Sequence, residues 1–371
     1  MTSRRPPARP LPTALVLLIP TLLPGLAAAE TRQAGDLSVE VTPAVTGLDM
    51  PWSIDFLPRG GQLITQIDGT LLLVEDGETT EVPGTPEVWA NGQGGLLDIL
   101  VPRDFAESRE IYLSYSKPME GGAGTALGVG TLVDGELQDF HEIFAMSQGS
   151  DKGQHFGSRI LEAPDGTLYL TVGERGEREA AQDLSRHNGS VLRLNRDGSV
   201  PEDNPFVDDG EAQPEIWSYG HRNAQGLALD AEGAIWVNEH GPQGGDEINR
   251  IEKGANYGWP LATYGEEYGG GRFAPEETEN TTGPLHQWTP SIAPSGYAIY
   301  EGDLFPSLRG VHLVGSLKFD FISALSPEDW SETRWEWPET ARVRDVTEAP
   351  DGSIWFLSET EGTAYRITPA E

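Results

Sequence analysis

Polar, glycine-rich runs interrupt an otherwise strand-like sequence, and they hold the residue types that can do chemistry. They are Asn91-Gly92-Gln93-Gly94-Gly95, Gly153-Gln154-His155-Phe156-Gly157, Gly220-His221-Arg222-Asn223-Ala224-Gln225-Gly226, His240 to Asn249 with its continuation Gly254 to Pro260, Gly315-Ser316-Leu317-Lys318 and Arg342-Val343-Arg344-Asp345. Arg342 and Arg344 alternate, which on a strand directs both to one face. With Lys318 and Arg222 they can form a basic pocket for a small ligand bearing several carboxylates, because guanidinium binds carboxylate bidentately. The plainer alternative pairs each with a nearby acid such as Asp345. The Gly241-Pro242 turn, followed by Asp246 and Glu247, offers the oxygen donors that a hard cation requires, although it is not an EF-hand. His155 is a candidate general base, since imidazole titrates near neutrality; a lone histidine is more often structural. His187, His221, His240 and His286 lack zinc-type spacing, and there is no cysteine to assist them. No Walker motif, dinucleotide fingerprint or G-x-S-x-G elbow accompanies these runs.

The elements that must position these residues recur along the chain. Six segments share a turn followed by an alternating strand, beginning at Gly60, Ser108, Asp165, Glu232, Arg309 and Asp351, at spacings of 42 to 77 residues. Such units suit four-stranded antiparallel sheets arranged radially, so the expected fold is all-β, a six-bladed propeller. The 45 Gly and 28 Pro argue against a helical protein. Tyr169, Trp236 and Trp355 are expected in the core between blades. The stretch Leu37 to Val45 is expected to close the ring by pairing into the last sheet, because an open edge is a liability.

The 371 residues carry 59 acidic against 25 basic side chains, a net charge of −34. That field disfavours nucleic acid and anionic membranes as partners. Arg4, Arg5 and Arg9 precede an apolar stretch from Leu11 to Leu26, and Ala27-Ala28-Ala29 reads as a cleavage site. Pro20 and Pro24 argue against a membrane span. Residues 1–29 are therefore expected to be a signal peptide, residues 30–371 one domain, and the mature protein periplasmic or secreted without a membrane anchor.

Together, GHRNAQGL (220–227), HGPQGGDEIN (240–249), GANYGWP (254–260), LRLNRDGSVPEDNPF (192–206) and RVRDV (342–346) resemble the glucose/sorbosone dehydrogenase family of pyrroloquinoline quinone (PQQ) enzymes, particularly the soluble aldose sugar dehydrogenases. Ser190 stands where a Lys is usual in that family, and Glu174 where members can have Asp. The resemblance implies that His155 takes the proton from the anomeric hydroxyl of an aldose while hydride passes to PQQ, giving a lactone. It implies that Glu174 orients His155 and that Arg222 stabilises charge on the quinone oxygen. Gln93, Arg222, Asn223, Tyr268, Ser316, Leu317, Lys318, Arg342, Val343 and Arg344 would contact the cofactor. Two calcium ions are implied, one on the carbonyls of Gly241 and Pro242, the other on the Glu247 carboxylate and the Tyr257 carbonyl. An external electron acceptor would complete the cycle. Two other readings are a calcium-dependent propeller lactonase, which leaves Lys318, Arg342 and Arg344 without a use, and a non-catalytic binding propeller, which needs neither base nor basic pocket.

Overall fold

The computed structural model describes residue 2 and residues 29–370. The expected signal peptide, apart from residues 2 and 29, lies outside the described residues. Each of the six turn-strand segments becomes the second strand of a sheet: Gln62–Gln66, Glu110–Met119, Leu168–Val172, Ile235–Glu239, His312–Ser316 and Ile354–Ser358. The strand before each one lies innermost. These inner strands are Pro51–Phe56, Leu96–Leu100, Ile160–Glu162, Ala224–Leu229, Pro294–Ile299 and Val343–Glu348, and each touches the next around a closed circuit. The chain is a six-bladed β-propeller.

Five blades have four antiparallel strands and the sixth has five, one more than expected. Leu37–Thr46 pairs antiparallel with Thr363–Pro369 and closes the ring as the sequence indicates. Glu30–Ala34 then adds an outer strand on Leu37–Thr46. Arg32 binds the Glu339 carboxylate at 2.6 and 3.1 Å, and the Trp337 indole donates to the Gln33 carbonyl at 2.9 Å. These bonds hold the added strand at the edge: both of its partners lie in the connection leading to the inner strand of the same blade.

Apolar packing joins the blades. Tyr169 packs with Leu227 and Val237 of the following blade, Trp236 with Tyr297 and Val314, and Trp355 with Ile54 and Ile64 across the closure. Each such buried side chain contributes about 1.5–3 kcal/mol. Near the axis the backbones approach closely. A Cβ at Gly296 would lie 2.2 Å from Asp345 Oδ1 and 2.4 Å from Val346 N, so only glycine lets the fifth inner strand reach the sixth.

The axis itself is polar. The buried Arg159 guanidinium bonds Asp98 at 3.2 Å and Asp345 at 3.0 Å, the Gln225 carbonyl at 2.8 Å and the Arg344 carbonyl at 3.2 Å, and lies 4.2 Å over the Trp52 ring. Asp98 also accepts from Ser53 Oγ at 2.6 Å and Ile160 N at 2.7 Å. Replacing Arg159 with Met would leave two buried carboxylates uncompensated, which costs about 3–5 kcal/mol. Chemical denaturation of Arg159→Met should show that loss, and adding Asp98→Asn should recover part of it.

Candidate active site

His155 lies in a segment, 152–159, that has neither helix nor strand, and its backbone is left-handed with φ 56°. The segment is held by side chains from other blades: His155 N donates to Gln93 Oε1 at 2.8 Å, and Gly157 N donates to Asn223 Oδ1 at 3.2 Å. The imidazole Nδ1 lies 2.5 Å from Glu174 Oε2, which also accepts from Gly176 N at 2.9 Å. Burial lowers the His155 pKa from its ordinary value; Glu174 opposes this, and Arg222 and Arg175 add to it. At neutral pH the ring is therefore uncharged. Nδ1–H donates to the carboxylate and the Nε2 lone pair remains available, the protonation state a general base needs.

Beside this segment, a cavity of about 260 Å3 is lined by Gln93, Phe156, Gln225, His240, Leu317, Arg342, Arg344 and Glu359 among others. Strand alternation is not what aligns the two arginines. Arg342 precedes the strand with φ 50°, and an irregularity follows between Val343 and Asp345. They converge because both bind Glu359, Arg342 Nε at 2.6 Å to one oxygen and Arg344 Nε at 2.8 Å to the other. Asp345, the local acid considered as a partner, turns to Arg159 instead. Burial works against the ionised Glu359, but Arg344 and Arg342 outweigh it and hold its carboxyl below the usual range. Burial likewise pushes the Arg344 pKa down, with Glu359 opposing. Two guanidiniums against one carboxylate leave a positive surplus, and the exposed Lys318 adds to it in the adjoining recess of about 880 Å3.

His240 lines both spaces. Its Nε2 donates to the Pro294 carbonyl at 2.7 Å, and burial, aided by Arg222, His155 and Arg344, pushes its pKa down to about 3. It is a neutral partition.

The turn after His240 is braced by Asp246. That carboxylate accepts from Gly241 N at 2.8 Å, Ser291 Oγ at 2.7 Å and Ala293 N at 2.8 Å, so it is occupied within the protein. Glu247 is not: among the described residues its carboxylate accepts only from Asn249 Nδ2, at 3.1 Å. Burial and the neighbouring Glu239 push its pKa well above the ordinary value. Arg222, Gly241, Glu247 and Tyr257 surround a space of about 10 Å3, the scale of one water or ion. The carbonyls of Gly241, Pro242 and Tyr257 accept no hydrogen bond from the backbone of the described residues. Fewer than three His, Cys, Asp or Glu side chains gather at any possible metal site among the described residues, so a cation here would depend on backbone carbonyls.

The structure thus brings Gln93, Leu317, Arg342 and Arg344 to one cavity, and Gly241, Pro242, Tyr268 and Lys318 to the adjoining recess. Arg222 Nη2 lies 3.4 Å from Tyr268 Oη. Ser316 and Val343 are different: the Ser316 hydroxyl is engaged by the Ile292 carbonyl and Phe319 N, and Val343 packs in the core. Glu359 and Glu239 lie outside the runs singled out above, and Gln225 lies within one of them without a role assigned to it. Glu359 was reachable by hairpin register, because Val343 pairs with Ser358 and the next residue falls beside the arginines.

The profile of the Glucose / Sorbosone dehydrogenase family matches residues 48–366. The chain belongs to that family. Its activity is that of a sugar dehydrogenase, an oxidoreductase. Among relatives of the glucose/sorbosone dehydrogenase family, aldose sugar dehydrogenase YliI of Escherichia coli is 40% identical over 362 residues, covering 94% of this chain and 98% of that one. The structure of the soluble E. coli aldose sugar dehydrogenase in its apo form superposes with TM-score 0.85 at 40% identity, over 90% of this chain and 100% of that chain. The PQQ-bound aldose sugar dehydrogenase of Streptomyces coelicolor gives TM-score 0.74 at 26% identity, over 91% of this chain and 99% of that chain.

Glu174→Gln removes the carboxylate that raises the His155 pKa and selects its tautomer. Turnover should fall roughly 10²- to 10⁴-fold. The acidic limb of the kcat/KM profile, expected below the ordinary histidine range because burial lowers the His155 pKa, should move lower still. A pH series of initial rates on sugar measures both.

Proposed function

We propose that the protein is an exported aldose dehydrogenase that uses PQQ and calcium to oxidise the anomeric carbon of aldoses to aldonolactones, with an external acceptor removing the electrons. The observation that carries this reading is a cationic cleft beside an imidazole oriented by a carboxylate, in a chain of net charge −34. The donors fit an oxygen-rich anion: Arg222 Nε and Asn223 Nδ2 are buried without hydrogen-bond partners among the described residues. The buried Glu247 carboxylate and the open carbonyls of Gly241, Pro242 and Tyr257 fit calcium. The PQQ-bound Streptomyces relative supports the cofactor. Export is supported by the leader pattern and by a first strand that begins at Glu30, the residue after the expected cleavage site.

Bound PQQ supplies a two-electron acceptor for the hydride that leaves C1 of the sugar. The protein does the rest. Lys318, Arg342 and Arg344 would hold its carboxylates, with Glu359 keeping the two guanidiniums fixed before binding. Gln93, Asn223 and Tyr268 would orient it. His155 Nε2 takes the proton of the anomeric hydroxyl, and Glu174 stabilises the resulting imidazolium, so that loss of proton and hydride together leaves the C1 carbonyl of a lactone. Arg222 would meet negative charge as it develops. The carbonyls of Gly241 and Pro242 would hold a calcium ion at the cofactor, and Glu247 with Tyr257 a second.

Apoprotein titrated with PQQ and calcium should acquire aldose-dependent dye reduction, and a chelator should lower both activity and melting temperature. Arg344→Ala should weaken PQQ binding, by an amount worth about 2–5 kcal/mol, with activity restored by excess PQQ. His155→Gln should bind PQQ normally and lose roughly 10²- to 10⁴-fold in turnover without rescue. Unchanged PQQ affinity in Arg344→Ala would leave the arginines a salt-bridge network.

A further inference from the structure

Arg175, directly after Glu174, is fully buried at 0% exposure. Glu174 and Glu177 act on it only through space, and no carboxylate lies within ion-pair distance of it among the described residues. Backbone carbonyls take that place. Nη1 donates to the Gln154 carbonyl, and Nη2 donates to those of Lys152 at 2.8 Å and Ala123 at 3.4 Å. The guanidinium lies 3.3 Å over the centroid of the Phe156 ring. These contacts bracket His155: two carbonyls come just before it and the ring just after.

The bracketed segment has no strand ladder to hold it, and a left-handed φ of 56° at a histidine is a conformation that the surroundings must impose. From the other side, a Cβ at Gly173 would stand 2.1 Å from the His155 carbonyl oxygen, so the segment is packed onto the Arg175 strand end without clearance. Burying a guanidinium without a counter-ion is costly, and burial pushes its pKa down to about 10. It stays charged at neutral pH, and its flat fork serves several carbonyls at once in a way a lysine ammonium cannot.

We propose that Arg175 is a positioning residue for the sugar oxidation: through the carbonyls of Lys152 and Gln154 and the ring of Phe156 it holds His155 in its left-handed conformation and so fixes the placement of Nε2. This rests on the reading of His155 as the general base. The charged and titratable groups facing His155 are Glu174, Arg175, Arg222 and His240. Of these, the two arginines disfavour the imidazolium, so Arg175 both places the ring and helps keep it unprotonated.

The test uses holoenzyme loaded with PQQ and calcium, comparing Arg175→Lys and Arg175→Met with His155→Gln. In Arg175→Met, turnover at saturating PQQ falls by roughly 10- to 100-fold, the effect of a slightly misplaced catalytic group. PQQ affinity is unchanged, and the acidic limb of kcat/KM moves to higher pH because a positive charge has gone. Arg175→Lys keeps the limb near its parent position and recovers part of the turnover. Parent-like turnover in both variants overturns the proposal. So does a loss that only tracks the folded fraction with an unmoved limb, and failure of both variants to fold assigns Arg175 to the scaffold and overturns it too. Normal turnover in His155→Gln instead removes the base reading itself, and that result does not depend on Arg175.

Discussion

Arg159 sits where five of the six blades meet at the axis, and the geometry of the ligand cavity depends on it. Its guanidinium takes Asp98 and Asp345 as counter-ions and donates from Nε to the carbonyl of Gln225 and from Nη2 to that of Arg344. Those last two residues also line the cavity. Gln225 in turn donates to the Gly157 carbonyl at 3.2 Å and lies 3.4 Å from Arg344 Nη1. A single chain of hydrogen bonds thus runs from the axis to the cationic cleft and to the His155 segment. A buried ion cluster seldom stabilises a fold more than apolar packing would. Here its directional bonds tie inner strands of different blades to one another, which apolar contacts, being non-directional, do not.

Charge is concentrated without full compensation at two places. Arg342, Arg344 and Lys318 concentrate positive charge on a strongly acidic protein, and Glu239 and Glu247 set two carboxyl groups side by side in a buried place. Neither arrangement is balanced from within. Glu359 offsets one of its two guanidiniums, and His221 and Asn249 satisfy Glu239 better than anything satisfies Glu247. Buried groups left short of partners mark places where a fold gives up stability for binding. An anion at the first and a cation at the second would relieve both, and each ligand would favour the other through their proximity.

Much of this was legible in the sequence where local rules act. The turn-strand segments announced the second strand of every blade because alternation and Asp-Gly or similar turns are short-range signals, and Trp236 and Trp355 fell between blades as large aromatics on such strands do. Glycine-rich runs marked the loops because irregular backbone near a ligand needs them. What stayed hidden depends on distance across the ring. Nothing near Arg159 in the chain points to Asp98 or Asp345, and Ser316 reads like its neighbour Lys318 although its hydroxyl is turned into the backbone. Alternation suggests a shared face for Arg342 and Arg344, but the irregular strand start removes that reason; a carboxylate just past the end of the next strand aligns them instead.

In the proposed reaction one site both holds the anionic cofactor and removes hydride from C1 of an aldose. The decisive experiment is anaerobic mixing of PQQ- and calcium-loaded protein with glucose or C1-deuterated glucose, following the absorbance of the bound cofactor. The expected result is reduction of the bound cofactor in a single turnover, several-fold slower with the deuterated sugar. A cofactor that binds but stays oxidised in excess aldose would contradict it.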